Sequence, residues 1–143
     1  MNLLKRIHWK YVFIGLAVDV FGSVLSAYLI IWLWARPQEY TGSLYQLDES
    51  FVSSTPFFLL LLVNGFIFSF LGAFLAAWLA GHDEIEHAVA QTALSIVSEM
   101  AFHYMPPHIR LPEWYNMDGL VLTLPICFAA GWIAQLIRQK NSV

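Results

Sequence analysis

The third apolar run of the sequence, from Ala88 to Tyr104, carries a regular row of polar residues. Members of this row lie four positions apart: His87, Gln91, Ser95, Glu99 and His103. At about 100° per residue, neighbours at this spacing stack on one face of a helix, and the row winds slowly around it. A helix with Glu99 in this row and no Lys or Arg within the run cannot turn that side to lipid. The sequence therefore predicts a helix that packs among other helices inside a membrane.

The composition of the chain supports the same conclusion. Of its 143 residues, 59% are hydrophobic and only 12% are charged, whereas soluble domains carry roughly 25% charged residues. A transmembrane helix needs about 20 apolar residues, and four runs of the sequence are long enough. We predict an all-α integral membrane four-helix bundle, a single transmembrane domain over residues 1–143 with helices at about 11–34, 56–80, 84–105 and 118–137.

Basic residues beside the apolar runs predict the orientation of the chain. Two of them, Arg36 and Arg110, lie in the loops at one side of the predicted membrane. The other five lie near the two termini: Lys5, Arg6, Lys10, Arg138 and Lys140. Because cytoplasmic segments carry an excess of Lys and Arg, we predict that both termini are cytoplasmic.

The second apolar run carries a row of small residues that predicts a packing face. Its members lie four positions apart: Gly65, Ser69, Ala73 and Ala77, with Gly81 next. A parallel row runs beside it: Gly72, Ala76 and Ala80. Apolar helices gain no hydrophobic energy from one another in lipid, so close backbone approach at small residues holds such a bundle together.

Two carboxylates, Asp19 and Glu99, lie within apolar runs. A charged Asp at the centre of a membrane helix costs about 2.5–3.5 kcal/mol, so each needs a reason. Counting helix rise from the helix ends predicts one polar layer near the middle of the membrane: Asp19, Asn64, Glu99 and Thr123. Three interpretations stay open: protonated acids that fix the helix register, a proton or cation site, and pairing with an Arg or Lys from a partner.

The turn between the second and third runs predicts helix ends rather than a metal site. Gly81 suits a left-handed helix end, and Asp83 followed by Glu86 resembles a capping box. The Glu84–His87 spacing occurs in di-iron bundles, but it occurs there twice and with further glutamates. His87 and His103 lie about 24 Å apart along one helix, too far to bind one haem iron. We predict no metal, no cofactor and no catalytic residue.

Two stretches together resemble a known group of proteins. They comprise Trp9 and Gly15 with Val18-Asp19-Val20-Phe21-Gly22-Ser23, and Leu71-Gly72-Ala73-Phe74-Leu75-Ala76-Ala77 followed by His87-Ala88. This pattern resembles small four-helix bacterial inner-membrane proteins of uncharacterised function. It departs from theirs at Gly72-Ala73, where two glycines are more usual. The resemblance covers the first three runs and implies a multi-pass inner-membrane protein, without supplying a site.

These observations favour a non-enzymatic membrane protein that is a subunit or accessory partner of a larger membrane complex. Small-residue faces, short loops and the lack of a catalytic motif support this interpretation. The expected partners are the lipid bilayer and other membrane subunits or further copies of the chain, and not nucleic acid. The alternative is a small proton- or cation-coupled transporter or channel that uses the carboxylates near the middle of the membrane.

Overall fold

The computed structural model describes residues 6–35, 55–103 and 113–141. These residues form four helices and no strand: α1 (Trp9–Ala35), α2 (Thr55–Ala80), α3 (Glu84–His103) and α4 (Glu113–Asn141). The predicted all-α bundle of four helices is confirmed. The predicted helix bounds agree to within two residues for the first three helices, although residues 104 and 105 lie outside the described part. The fourth helix begins five residues earlier than predicted and ends four residues later.

Three of the four helices are long and apolar enough to cross a membrane. Within the described residues these segments are Trp9–Trp34, Thr55–Ala80 and Val121–Asn141. A segment of 26 residues spans about 39 Å as a helix, more than the roughly 30 Å of hydrocarbon in a bilayer. The helix α3 is shorter, at 20 residues, and its polar row lowers its hydropathy. That α3 also crosses the membrane therefore stays a prediction.

Helices α2 and α3 pack against each other at the centre of the bundle. The helix α1 packs against both of them, and so does α4. Since α1 and α4 make little contact with each other in the described residues, they lie on opposite sides of the central pair. Both central helices are thereby placed where their inward-facing polar side chains can meet partners from a neighbouring helix.

One end of the bundle, which we call the turn end, gathers three separate segments. Arg6, just before α1, forms an ion pair with Asp83 of the turn between α2 and α3, at 2.9 Å from Nη2 to Oδ1. Arg138, near the end of α4, donates from Nη1 to the Gly81 carbonyl at 2.8 Å. The start of α1 and the end of α4 thus lie at the same end of the bundle. Which side of the membrane this is stays a prediction.

The helices α1 and α2 cross at a pair of glycines. A Cβ built on Gly72 would lie 2.6 Å from the carbonyl oxygen of Gly15 and 2.9 Å from Cβ of Asp19. A Cβ built on Gly15 would collide in turn with the carbonyl oxygen of Gly72. Glycine is required at both positions because the two backbones are in direct contact, which is the close approach that stabilises membrane helix pairs.

The row of small residues on α2 is largely buried, with one exception. Ser69, Ala73 and Ala77 are buried, and the two alanines pack in a core with residues of α3 and α4. Gly65 departs from the predicted packing face, because a Cβ added there meets no described atom within 4 Å. The parallel row of Gly72, Ala76 and Ala80 is also buried. The packing surface of α2 is therefore broader than one row, and Gly65 is not part of it, although Phe57 and Phe58 nearer the start of the helix are buried as well.

Candidate functional site: a buried carboxylate cluster and a histidine cluster

A buried carboxylate joins three of the helices. Asp19 of α1, which is only 4% exposed, accepts three hydrogen bonds from neutral side chains. Ser69 of α2 donates to Oδ1 at 3.0 Å. From α3, Gln91 Nε2 and Ser95 Oγ donate to Oδ2 at 3.0 Å and 2.6 Å. We call these four residues the Asp19 cluster.

The sequence brings these side chains together by helix spacing and by the glycine crossing. Gln91 and Ser95 lie one turn apart on the polar row of α3, so both reach the same carboxylate oxygen. Gly72 lies directly beside Asp19, and its missing side chain leaves room for the carboxylate; a Cβ there would also lie 3.2 Å from Gln91 Nε2. The close helix crossing and the Asp19 cluster are thus parts of one arrangement.

Among the described residues, no positively charged side chain is paired with the Asp19 carboxylate. Its three hydrogen-bond donors are two hydroxyls and an amide, and the ion pairs of the described residues lie at the turn end. Burial of a lone carboxylate is costly, and hydrogen bonds offset only part of that cost. The amide oxygen of Gln91 is also buried and has no described hydrogen-bond partner.

That unpaired oxygen gives the cluster two ways to hydrogen-bond. With Asp19 ionised, the amide nitrogen of Gln91 donates to the carboxylate, as observed. A half-turn of the amide would bring its oxygen to the same position, where it could accept a proton carried by Asp19. Gln91 can therefore hydrogen-bond either protonation state of Asp19.

The other members of the predicted polar layer do not hydrogen-bond to Asp19. Asn64 donates to the backbone carbonyl of Ser23 at 3.1 Å, which ties α2 to α1 nearer the opposite end. Thr123 is buried, but it donates to the carbonyl of Gly119 in its own helix at 2.6 Å. Glu99 is exposed. The described side chains thus form a layer around Asp19 with different members.

Helix rise explains why Ser95 rather than Glu99 meets Asp19. Asp19 lies ten residues into α1, about 15 Å from its start at the turn end. On α3, Gln91 and Ser95 lie about 10 and 16 Å from the start, whereas Glu99 lies about 22 Å from it. The polar row itself was the signal for Gln91 and Ser95, and a depth count from the true helix starts would have selected them over Glu99.

A second group, the histidine cluster, lies at the turn end and consists of His8, His82 and His87. The ring centroids are 4.8 to 6.1 Å apart. His87 is fully buried and uses both ring nitrogens: Nε2 accepts from the backbone N–H of His8 at 2.9 Å, and Nδ1 lies 2.9 Å from the Asp83 carbonyl. The Nε2 atoms of His8 and His82 are 3.3 Å apart. Within the described residues, no group of three or more His, Cys, Asp or Glu side chains is placed to hold a metal.

The turn between α2 and α3 is held by side chains rather than by the predicted capping box. Gly81 has the left-handed backbone predicted for a helix end, at φ 78°, and Asp83 shares that region at φ 47°. The Asp83 carboxylate is ion-paired with Arg6 instead of capping α3. From the other side, Arg138 donates to the carbonyls of Trp78 and Gly81 and pairs with Glu84 at 2.9 Å. Arg138 thereby satisfies carbonyls at the end of α2 that its own helix leaves open.

Known proteins offer no guide to the function of this chain. The chain matches no family model, no curated protein and no solved structure.

Proposed function

We propose that this chain is a non-enzymatic subunit or accessory partner of a larger assembly in the bacterial inner membrane. The observation that carries this proposal is the outward face of α3, where the exposed carboxylate of Glu99 lies beside exposed apolar residues. Val89 is 49% exposed, Val97 is 61% exposed and Met100 is 50% exposed. They follow one another at helical spacing, so they form one continuous apolar stripe.

The part of this stripe nearest the turn end forms a cleft suited to another helix. The cleft has a volume of about 710 Å³ and is lined on α3 by Val89, Ala90 and Ala93. Trp9 flanks it on one side and Gln135 on the other. Two of its lining residues, Ala90 and Ala93, are small and allow a second backbone to come close, which is the basis of helix association in lipid, and Asp83, Glu84 and Glu86 line its end at the turn. The occupant that fits is a membrane helix of another subunit.

Glu99 adds a charge argument for a partner. It lies about 22 Å along α3 from the turn end, it is exposed, and it forms no ion pair with a described residue. An exposed carboxylate at membrane depth is costly unless something covers or neutralises it. A partner helix that carries Lys or Arg opposite Glu99 would do so. The distribution of basic residues supports cytoplasmic termini for this arrangement.

A photo-crosslinking amino acid at Ala93, in the cleft, should form a covalent adduct with a membrane protein in living cells. The matched control is the same amino acid at Leu25 of α1, which is 69% exposed and should contact lipid alone. Mass spectrometry of the Ala93 adduct identifies the partner, and two differently tagged copies distinguish a second copy of this chain. The proposal fails if Ala93 yields no protein adduct, or if Leu25 yields the same adduct.

A second candidate function, a small proton- or cation-coupled transporter or channel, is favoured by the line of polar residues through the bundle. His87, Gln91 and Ser95 are buried along α3, and Asp19 bridges the latter two. Glu99 continues the row one turn further on, where it is exposed. The titratable residues His87 and Glu99 thus lie one helical turn beyond either end of the Gln91–Ser95 pair that Asp19 joins.

Purified protein in lipid vesicles should then carry protons down an imposed potential, as measured with a pH-sensitive dye inside the vesicles. Asp19→Asn should abolish this flux because an amide cannot take up and release a proton near neutral pH. Flux no greater than that of empty vesicles, or equal flux in Asp19→Asn, would contradict the transport function and leave the subunit function in place.

A further inference from the structure

The two exposed histidines of the histidine cluster face each other through the same ring nitrogen. His8 Nε2 and His82 Nε2 are 3.3 Å apart, and the two rings are inclined at 76°. His8 precedes α1 and His82 lies in the turn after α2, so the fold brings them together from positions 74 residues apart. Neither the Asp19 cluster nor the cleft on α3 uses this pair.

The separation of these nitrogens suits a shared metal ion. Hydrogen bonds from N–H groups in proteins usually measure about 2.7–3.2 Å, so 3.3 Å is long for a direct bond between two neutral imidazoles. Two nitrogens that bind one zinc ion at about 2.0–2.1 Å with a tetrahedral angle lie about 3.3–3.4 Å apart. The observed separation of 3.3 Å agrees with this second geometry.

The surroundings of His82 favour Nε2 as its free ring nitrogen. Its Nδ1 lies 3.4 Å from Oδ2 of Asp83, an ion-pair distance that is longer than a hydrogen bond, while Oδ1 of Asp83 is held by Arg6 at 2.9 Å. A carboxylate near one ring nitrogen favours the tautomer with its proton there, which leaves the other nitrogen for a metal. His87 is not available as a ligand, since both of its nitrogens are already in use.

We propose that His8 and His82 bind a divalent transition metal ion at the turn end, with Asp83 orienting His82. Imidazole nitrogen suits Zn²⁺, Cu²⁺ and Ni²⁺. The two imidazoles are the donors that the described residues supply, and both side chains are exposed, so water completes the coordination. A bound ion joins the segment before α1 to the turn between α2 and α3, which Arg6 and Asp83 already connect.

The test is a calorimetric titration of tag-free protein in detergent with Zn²⁺ near neutral pH. One ion should bind per chain. His8→Gln and His82→Gln should each weaken binding by roughly a hundredfold or more, and Asp83→Asn by a smaller factor, because its carboxylate lies 3.4 Å from His82 Nδ1 and acts through its charge. The matched control His103→Gln changes a histidine at the far end of α3 and should leave the affinity unchanged.

A spectroscopic measurement on the unaltered chain makes the test independent of the variants. X-ray absorption of the zinc-loaded protein should give two imidazole nitrogens per ion at about 2.0–2.1 Å. Absence of Zn²⁺ binding, unchanged affinity in the His8→Gln and His82→Gln variants, or coordination by oxygen alone would each overturn the proposal.

Discussion

Replacing Gly72 by leucine should lower the thermal stability of the bundle much more than the same replacement at Gly65 of the same helix. A Cβ at Gly72 would lie 2.6 Å from the backbone oxygen of Gly15, and neither backbone can move aside without separating α1 from α2. Overpacking costs about 1–3 kcal/mol where side chains can adjust; here the obstacle is backbone, so we expect at least about 3 kcal/mol. For a chain of this length that corresponds to a fall of roughly 6–12 °C in Tm, measured by thermal unfolding in detergent.

Gly65→Leu is the matched control for this prediction. It makes the same change on the same helix, but a Cβ at Gly65 meets no described atom within 4 Å, so its Tm should stay within a few degrees of wild type. Gly72→Ala should already show part of the Gly72→Leu effect, because the collision begins at Cβ. Equal Tm values for Gly65→Leu and Gly72→Leu would show that the glycine crossing does not hold the bundle.

The sequence predicts which face of a helix packs, but it does not predict where along that face another helix crosses. The spacing of small residues indicated that α2 has a packing face, and Ser69, Ala73 and Ala77 are buried as that pattern predicts. The pattern could not tell that Gly72 rather than Gly65 lies at the closest crossing. Both are glycines in small-residue rows, and the difference depends on where α1 crosses α2, which periodicity within one helix does not contain.

The Asp19 cluster shows the same limit for a polar site. The position of Asp19 along its helix predicts a carboxylate that needs hydrogen-bond donors inside the bundle. The polar row of α3 contains two of these donors, Gln91 and Ser95. The sequence favours Glu99 as a neighbour because it is the other acid, although it lies about 22 Å along its helix against about 15 Å for Asp19. The row of small residues predicts a packing role for Ser69 because serine is small. Its hydroxyl serves the cluster, so one residue has both roles.

The contacts of the turn end lay beyond sequence reasoning altogether. Arg6 and Asp83 are 77 residues apart, and Arg138 and Gly81 are 57 residues apart. Local rules assign Asp83 to a cap of α3, since Asp at a helix start is favourable on its own. In the fold, the Asp83 carboxylate instead forms an ion pair with Arg6, which lies on a neighbouring segment. This ion pair replaces the local hydrogen bond of a helix cap.

Asp19→Val should destabilise the protein strongly, whereas Asp19→Asn should be nearly neutral for folding. Valine removes the acceptor of three buried donors, and each donor left without a partner costs about 1–3 kcal/mol. The serine hydroxyls can turn to a backbone carbonyl of their own helix, but the Gln91 amide cannot. We therefore expect Asp19→Val to cost roughly 3 kcal/mol and Asp19→Asn less than about 1 kcal/mol, measured as thermal unfolding in detergent.

Ser95→Ala and Ser98→Ala provide a matched pair of controls on α3. Ser95 donates the shortest hydrogen bond to Asp19, at 2.6 Å, whereas Ser98 donates to the carbonyl of Ser95 in its own helix at 2.7 Å. Both substitutions remove one hydroxyl, and only the first removes a bond to the carboxylate. Ser95→Ala should therefore lower Tm more than Ser98→Ala, and the reverse order would contradict the central place of Asp19.

The Asp19→Asn variant also decides what the carboxylate is for. If Asp19 holds the three helices in register through its hydrogen bonds, the variant should retain its fold, its partner adduct at Ala93 and any proton flux. If Asp19 carries protons, the variant should fold and keep the adduct but lose the flux. If Asp19→Asn is as unstable as Asp19→Val, the negative charge itself is required, which would contradict both expectations. Glu99→Gln then tests the partner charge separately: because Glu99 is exposed, that variant should keep its Tm and lose the adduct at Ala93 only if a partner cation faces it.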